Sequence, residues 1–334
     1  MAPPPSNHDP GRVAIGTWSA GRFMHFGEAV DDERFVALVS PDERIDTVIT
    51  ADVYGTGAAD EMLGRAIAGR PRESMCVVGA VGHDFYEGER NGPKGFPRFT
   101  DPALRDAGLT RLIGVAPGPA NGFTLDVIDC LERFGDRIDW AMVILNPLEP
   151  WPGELCLDAA AAADVKVITR VVDYGGLFFD DLRPGQELVR GDHRGFRPPG
   201  WLEAGLQRID GMRPIAERAG LTMIQLACQW NLAHRPVECV APTLIQEVGP
   251  GAKSIEDKRA ELAALPEQRL THEDVDAIRA LGDNTGCMAL KGASPQHTGE
   301  EQPDRWTMDD HLATVAERWR IDPQRDLVIS QEAA

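Results

Sequence analysis

Thr50-Ala51-Asp52-Val53-Tyr54-Gly55 decides how this chain is read. The run follows a short apolar stretch at 47–50 and precedes a helix-period segment at 59–68. Asp52 and Tyr54 therefore stand at the C-terminal end of a strand. The same succession recurs along the sequence. Apolar, β-branched runs at 13–18, 76–81, 111–115, 140–145, 165–172 and 237–241 predict further strands. Helical patterns fall between them. The segment 123–134 puts Val127, Ile128, Leu131 and Phe134 on one face and ends at Gly135. An Ala-rich segment covers 154–163, and Thr222-x-x-Gln225 is a capping box opening a helix that runs to 234. Ser254 and Thr271 each precede an acid three residues on and mark two more helix starts, the second ending at Gly282.

Strand–helix alternation implies a parallel sheet with helices outside it. Such a sheet closes as a barrel or lies open in a doubly wound fold. No Gly-x-Gly-x-x-Gly follows the first strand, which counts against the open dinucleotide-binding arrangement. The fold class read here is α/β, a (β/α)8 TIM barrel with one β/α unit short of eight. The shortfall lies between residues 80 and 109, with the gap near Arg105–Ala107. Residues 1–12 read as a flexible N-terminus and 13–282 as the barrel. Residues 283–334 read as a C-terminal extension packing on or over the barrel mouth.

Composition narrows the partners. The 334 residues are 43% hydrophobic and 26% charged, enough for a sizeable core. A net charge of −19, from 53 acids against 34 bases, repels nucleic-acid phosphates and anionic lipid. No apolar run reaches the roughly 18 residues of a membrane span, and the N-terminus has no signal pattern. The six cysteines form no Cys-x-x-Cys pair and read as free thiols of a reducing, cytoplasmic compartment. A small-molecule substrate is the expected partner, with no nucleic acid and no membrane; an oligomer is compatible with the composition.

In a (β/α) barrel the chemistry sits at the C-terminal strand ends. Those positions hold Asp52 and Tyr54, His83 and Asp84, Asn121, Asn146, Asp173 and Tyr174, then Gln246 and Glu247. This ring suits a hydroxyl-rich ligand. His83, Asp84, Glu87 and Glu89 match no metal-ligand spacing, so no metal is expected.

The run Thr50–Gly55, continued by Glu61-Met62-Leu63-Gly64-x-Ala66, resembles the aldo-keto reductase signature around its catalytic tyrosine. Other pieces follow in family order: Gly16-Thr17-Trp18, Asn146-Pro147-Leu148, Gly175-Gly176-Leu177, Asp192-His193-Arg194, Gln225-Leu226-Ala227-x-x-Trp230 and Gly251-Ala252-Lys253-Ser254. The resemblance implies an NADP(H)-dependent oxidoreductase acting on a carbonyl or hydroxyl of a sugar- or polyol-like molecule, with Tyr54 as proton donor. It assigns Gly176, Leu177, Lys253, Ser254 and Arg259 to the cofactor, and together with the strand-end ring it makes Trp18, Asn121, Asn146 and Asp173 the expected substrate contacts.

The chain departs from the family pattern at the catalytic partners. Ile49 stands at the aspartate position, Ala80 at the lysine position, and the histidine would fall in the missing unit. Ala116-Pro117, Met142 and Arg170 replace groups that hold the nicotinamide. His83 is the candidate to assist Tyr54, since a histidine titrates near neutral pH, and Asp52 completes the candidate catalytic set. Two other readings fit the same fold: a non-redox isomerase, epimerase or lyase, and a non-catalytic binding barrel.

Overall fold

A computed structural model of the chain describes residues 8–80, 105, 108–117, 124–282 and 309–326. It contains seven parallel strands among those residues: β1 (Ala14–Gly16), β2 (Thr47–Ala51), β3 (Cys76–Ala80), β4 (Gly114–Val115), β5 (Trp140–Ile144), β6 (Lys166–Arg170) and β7 (Val237–Ala241). They fall on the seven runs predicted from the sequence. Hydrogen bonds join β1-β2-β3 and β4-β5-β6-β7, and every pair is parallel. A parallel bridge between Val13 and Val240 links the two sets, with the Val240 N–H donating to the Arg12 carbonyl at 3.0 Å. The order round the barrel is therefore β3-β2-β1-β7-β6-β5-β4. The α/β barrel class holds, and most of the residues between β3 and β4, where the sequence is expected to be short of a unit, lie outside the described ones.

Side chains alternate across each strand. Ala14, Ile49, Trp140, Ile168, Cys239 and Ala241 point inward and, with Trp18, form the barrel's interior cluster. Val13, Ile15, Val48, Val143, Val167 and Val240 point outward into the larger core beneath the helices. Gly16 is required by close approach, because a Cβ there would lie 2.3 Å from the Trp18 ring. The chain can thus fold Trp18 back across the barrel interior.

The helices are α1 (Asp32–Val39), α2 (Ala58–Ile67), α3 (Thr124–Phe134), α4 (Leu157–Ala162), α5 (Trp201–Ala219), α6 (Met223–Leu232), α7 (Ile255–Ala263), α8 (His272–Leu281) and α9 (Asp310–Arg318), with a last turn at Pro323–Asp326. Their starts follow from local hydrogen bonding. Asp31 caps α1, Thr222 and Gln225 form the capping box of α6, Ser254 caps α7, and Thr271 with Asp274 boxes α8. Fully buried Phe35, Ile128, Leu226 and Trp230 fix these helices to the sheet. Each such side chain contributes about 1.5–3 kcal/mol by leaving water. The predicted 154–163 helix is split into a 3-10 turn at Gly153–Cys156 and α4.

Helix α9 belongs to the described part, 309–326, of the 283–334 extension. It lies against α3 on the outside of the barrel, with His311 bonded to Asp129 at 2.7 Å and Trp319 Nε1 donating to Glu132 at 2.9 Å. Among the described residues no helix is long and apolar enough to cross a membrane. The five described cysteines are free, and four of them are buried.

Candidate functional site at the barrel mouth

Tyr54 opens a short 3-10 turn directly after β2. That turn takes the backbone through the left-handed region at Gly55, Thr56 and Gly57, with φ of 61°, 57° and 92°. For the β-branched Thr56 this conformation costs on the order of 1–3 kcal/mol. Thr17 Oγ1 donates to Thr50 Oγ1 at 3.0 Å, and Thr50 Oγ1 donates to Asp60 at 2.6 Å. These bonds tie β1, β2 and α2 together beneath the turn. The Tyr54 ring meets Trp18 edge-on at 6.2 Å, and Trp18 Nε1 donates to Thr243 Oγ1 at 3.1 Å. Tyr54 therefore reaches the mouth from a braced base. Asp52 lies on the same turn, and its N–H donates to the Ala80 carbonyl at 3.3 Å.

Two electrostatic effects act on the phenol. Burial raises the Tyr54 pKa above its ordinary 10.0, and the positive charge of Arg170 pulls it back. Arg170 ends β6 on the same inward face as Ile168, so its guanidinium stands in the mouth. The surrounding protein lowers the Arg170 pKa by stripping water from the charge, against the countering fields of Tyr54 and Glu149. One of its nitrogens donates to the Pro117 carbonyl at 3.0 Å.

A second arginine is placed very differently. Arg194 is 1% exposed and lies between two carboxylates. Its Nε and Nη2 donate to Asp192 at 3.0 and 2.7 Å. Nη1 and Nη2 donate to Glu247 at 2.5 and 3.0 Å, and Nη1 also reaches the Gly175 carbonyl at 3.0 Å. Asp192 in turn accepts from the Gly27 N–H at 2.7 Å. The clasp fastens the loops after β1, β6 and β7 into one rim. Burial works against the Arg194 charge, but the carboxylate bonds more than offset it and raise its pKa. Burial keeps Glu247 above its ordinary value, whereas Asp192, despite burial, is held below its own by bonds from Arg194 and Gly27.

Several residues expected at the site turn inward to brace loops. Asp173 is fully buried, and its two oxygens accept from Thr243 N at 2.7 Å and Gly176 N at 2.8 Å. Burial raises its pKa despite those bonds. Asn146 donates to Val171 O at 3.0 Å and Glu149 at 3.2 Å while accepting from Leu148 N at 3.0 Å. Tyr54, Trp18 and Asp52 gather at one side of the mouth. His83 and Asn121 lie outside the described residues. Ile49 fills the barrel interior, and Ala80 ends β3.

The residues expected to hold a phosphate lie on the rim at α7. Ser254 caps the helix, accepting from Asp257 N at 3.1 Å and donating to Asp257 Oδ2 at 2.7 Å. The Lys253 ammonium pairs with Glu261 at 3.2 Å yet stays 36% exposed. Lys253 also walls a surface cavity of about 230 Å³ that Asp180, Arg213, Thr222 and Met223 help to line. The exposed ammonium and the helix N-terminus are donors suited to a phosphate, while the Ser254 hydroxyl is committed to Asp257. Arg259 is turned away, bonded to the carbonyls of Leu38 and Ser40 and to Asp42 at 3.0, 2.9 and 2.7 Å. Leu177 is fully buried. Gly176, at φ 94°, has space for no side chain, since a Cβ would sit 2.9 Å from Glu247 Oε1.

The sequence put Arg170 in the nicotinamide pocket as a replacement without a role of its own, and it named Arg194 and Glu247 without pairing them. Strand parity was the available signal for Arg170, which sits two residues after the inward Ile168. The clasp joins residues far apart in sequence, and no local pattern reports it. Among the described residues, no group of three or more His, Cys, Asp or Glu could hold a metal.

The fold is a parallel α/β barrel with Tyr54 at its mouth and Lys253 on its rim. The family model "Aldo/keto reductase family" matches residues 102–283, more than half of the sequence, and the chain belongs to that family. Solved structures share its fold. The glycerol dehydrogenase of Gluconobacter oxydans is 20% identical over 84% of this chain and 94% of its own, with a TM-score of 0.59. An aldo-keto reductase from Klebsiella pneumoniae in complex with NADPH is 18% identical over 86% and 99%, with a TM-score of 0.55. The holo form of a Bacillus halodurans aldo-keto reductase is 20% identical over 84% and 94%, with a TM-score of 0.51. No curated protein gives a significant match.

Proposed function

We propose that this chain is an NADP(H)-dependent oxidoreductase acting on a carbonyl or hydroxyl of a polar, sugar- or polyol-like small molecule, with Tyr54 as the proton donor. The observation that carries this reading is the Tyr54 phenol, braced against Trp18 at the barrel mouth and within the field of Arg170. Membership of the family and relatives described with NADP or NADPH support the choice of cofactor. A cytoplasmic setting accords with the free cysteines.

When bound, NADPH supplies the hydride. Lys253 and Ser254 would hold its 2′-phosphate through charge-assisted bonds and the N-terminus of α7. The chain's own residues deal with the proton. As a carbonyl is reduced its oxygen gains negative charge, and the Tyr54 hydroxyl gives that oxygen a proton. The phenolate left behind lies in the field of Arg170, which opposes the cost of burying it. Trp18 walls the phenol on one side and limits water there. Asp52 stands on the Tyr54 turn, and His83 is retained as an assisting acid or base.

Proton transfer without redox on the same barrel is a second reading. It is favoured by the replacement of the nicotinamide-holding groups with Ala116-Pro117, Met142 and Arg170 beside a retained polar ring. Fluorescence titration with NADPH and NADH tests the choice. Binding of NADPH below millimolar concentration is the expected result, and no binding at millimolar NADPH would sink the redox reading. Substituting Arg259 is expected to alter stability more than cofactor affinity, because its guanidinium holds the end of α1.

A further inference from the structure

Arg170 is a cation placed at the working end of the barrel, and among the described residues no carboxylate is its counter-ion. Its inward position is fixed by the register of β6, where Ile144 and Ala241 flank it on the neighbouring strands. Among the described residues its hydrogen bonding amounts to one contact, with the Pro117 carbonyl, and no carboxylate reaches ion-pair distance. Glu149, the acid whose field it feels, is already engaged by Arg197 at 3.6 Å and by Asn146 at 3.2 Å. Charges withdrawn from water are ordinarily paired, as Arg194 is. A guanidinium offers five N–H donors, and Arg170 commits one of its nitrogens. Among the described residues, nothing occupies the rest of its fork.

Resting on the oxidoreductase reading of the same mouth, we infer that the substrate carries a carboxylate, which Arg170 binds while the reacting carbon faces Tyr54. The substrate class is then an oxo acid or its hydroxy acid. The charge count favours a monoanion. Among the described residues, Glu149 is matched by Arg197, and Glu247 and Asp192 share Arg194, so the single charge of Arg170 is what a ligand meets, and one charge matches a carboxylate better than a phosphate dianion. The planar fork also fits the two oxygens of a carboxylate. Arg170 thereby selects the substrate and orients it, and its charge bears on the phenol at the same time.

Calorimetric titration of the full chain without cofactor tests the inference independently of redox activity. The probes are pyruvate, glyoxylate and gluconate, set against their neutral counterparts acetone, glycolaldehyde and sorbitol. At least one carboxylate is expected to bind more tightly than its counterpart. R170M should weaken that carboxylate on the order of 10- to 100-fold. It should leave the neutral probes within about 2-fold, and R170K should restore part of the affinity. Because methionine replaces an unpaired charge with an apolar chain of similar length, R170M should stay folded, which its thermal unfolding would verify. If NADPH-dependent turnover is found, R170M should raise KM for the carboxylate and also lower kcat, because the field that favours the Tyr54 phenolate goes with the guanidinium. Carboxylate binding that depends on Arg170 but without any NADPH turnover would uphold the anion site and refute the redox reading. Equal affinity for charged and neutral probes, or a preference for methylphosphonate over acetate, would overturn the inference. So would an R170M variant that loses both classes equally.

Discussion

Arg194 and Arg170 stand on the same barrel mouth and meet opposite treatment. Arg194 is closed off from water, and the chain supplies two carboxylates and a carbonyl to hold it. Arg170 is half-buried, deprived of much of its water, and among the described residues given one carbonyl. A charge that the fold satisfies is architecture, here a rim that fixes three loops. A charge that the fold leaves open at a site is directed at something that arrives from outside. The contrast can be broken experimentally at either arginine.

The largest effect is expected from R194M. It leaves Asp192 and Glu247 buried without their partner, which should cost about 3–5 kcal/mol in urea or thermal unfolding. R170M should leave stability unchanged or raise it by about 1 kcal/mol, since a poorly solvated, unpaired cation is removed. If both variants destabilise alike, the distinction between the two arginines fails.

The pH dependence sharpens the contrast. The Asp192 carboxyl lies below its ordinary 3.8 in the fold, so its contribution is present above that value and is lost as pH falls through the folded one. Glu247 runs the other way. Its pKa lies above 4.5, so its charge costs stability at neutral pH and protonation relieves that cost as pH falls. D192N should therefore flatten the acid limb of thermal stability below pH 3.8, at about 1.4 kcal/mol for each unit by which the pKa is shifted. A limb as steep as the wild type's would show that Asp192 is not held as described.

The smallest effect on stability belongs to Lys253. Its pair with Glu261 is solvent-reached, and K253A should change unfolding by less than about 1 kcal/mol. The same change should weaken NADPH about 10-fold and NADH hardly at all, because only the 2′-phosphate needs the ammonium. Equal weakening of both cofactors would remove Lys253 from the phosphate end.

Much of this architecture was legible in the sequence. Short β-branched runs alternating with capped helices placed all seven described strands, and Thr222, Ser254 and Thr271 marked helix starts because capping is local chemistry. Helix α5 was not legible, since Pro214 and two internal glycines interrupt its pattern. Nor was the short α1. The site divides the same way. Tyr54 could be read from its own strand end. Asp173 and Asn146 look like ligand groups in sequence, but their partners are backbone groups of loops that only folding brings near. The pairing of Arg194 and the solitude of Arg170 are tertiary facts, and no spacing encodes them.

The central claim is that Tyr54 gives its proton to a carbonyl at this mouth, and NADPH oxidation by the wild type and Y54F, with a panel of polar carbonyl substrates, tests it most directly. The variant removes one hydroxyl and leaves the ring packed on Trp18, so the fold should be retained. The account predicts NADPH oxidation by the wild type and a loss on the order of 10²–10⁴-fold in kcat for Y54F. Turnover by Y54F at the wild-type rate would contradict it.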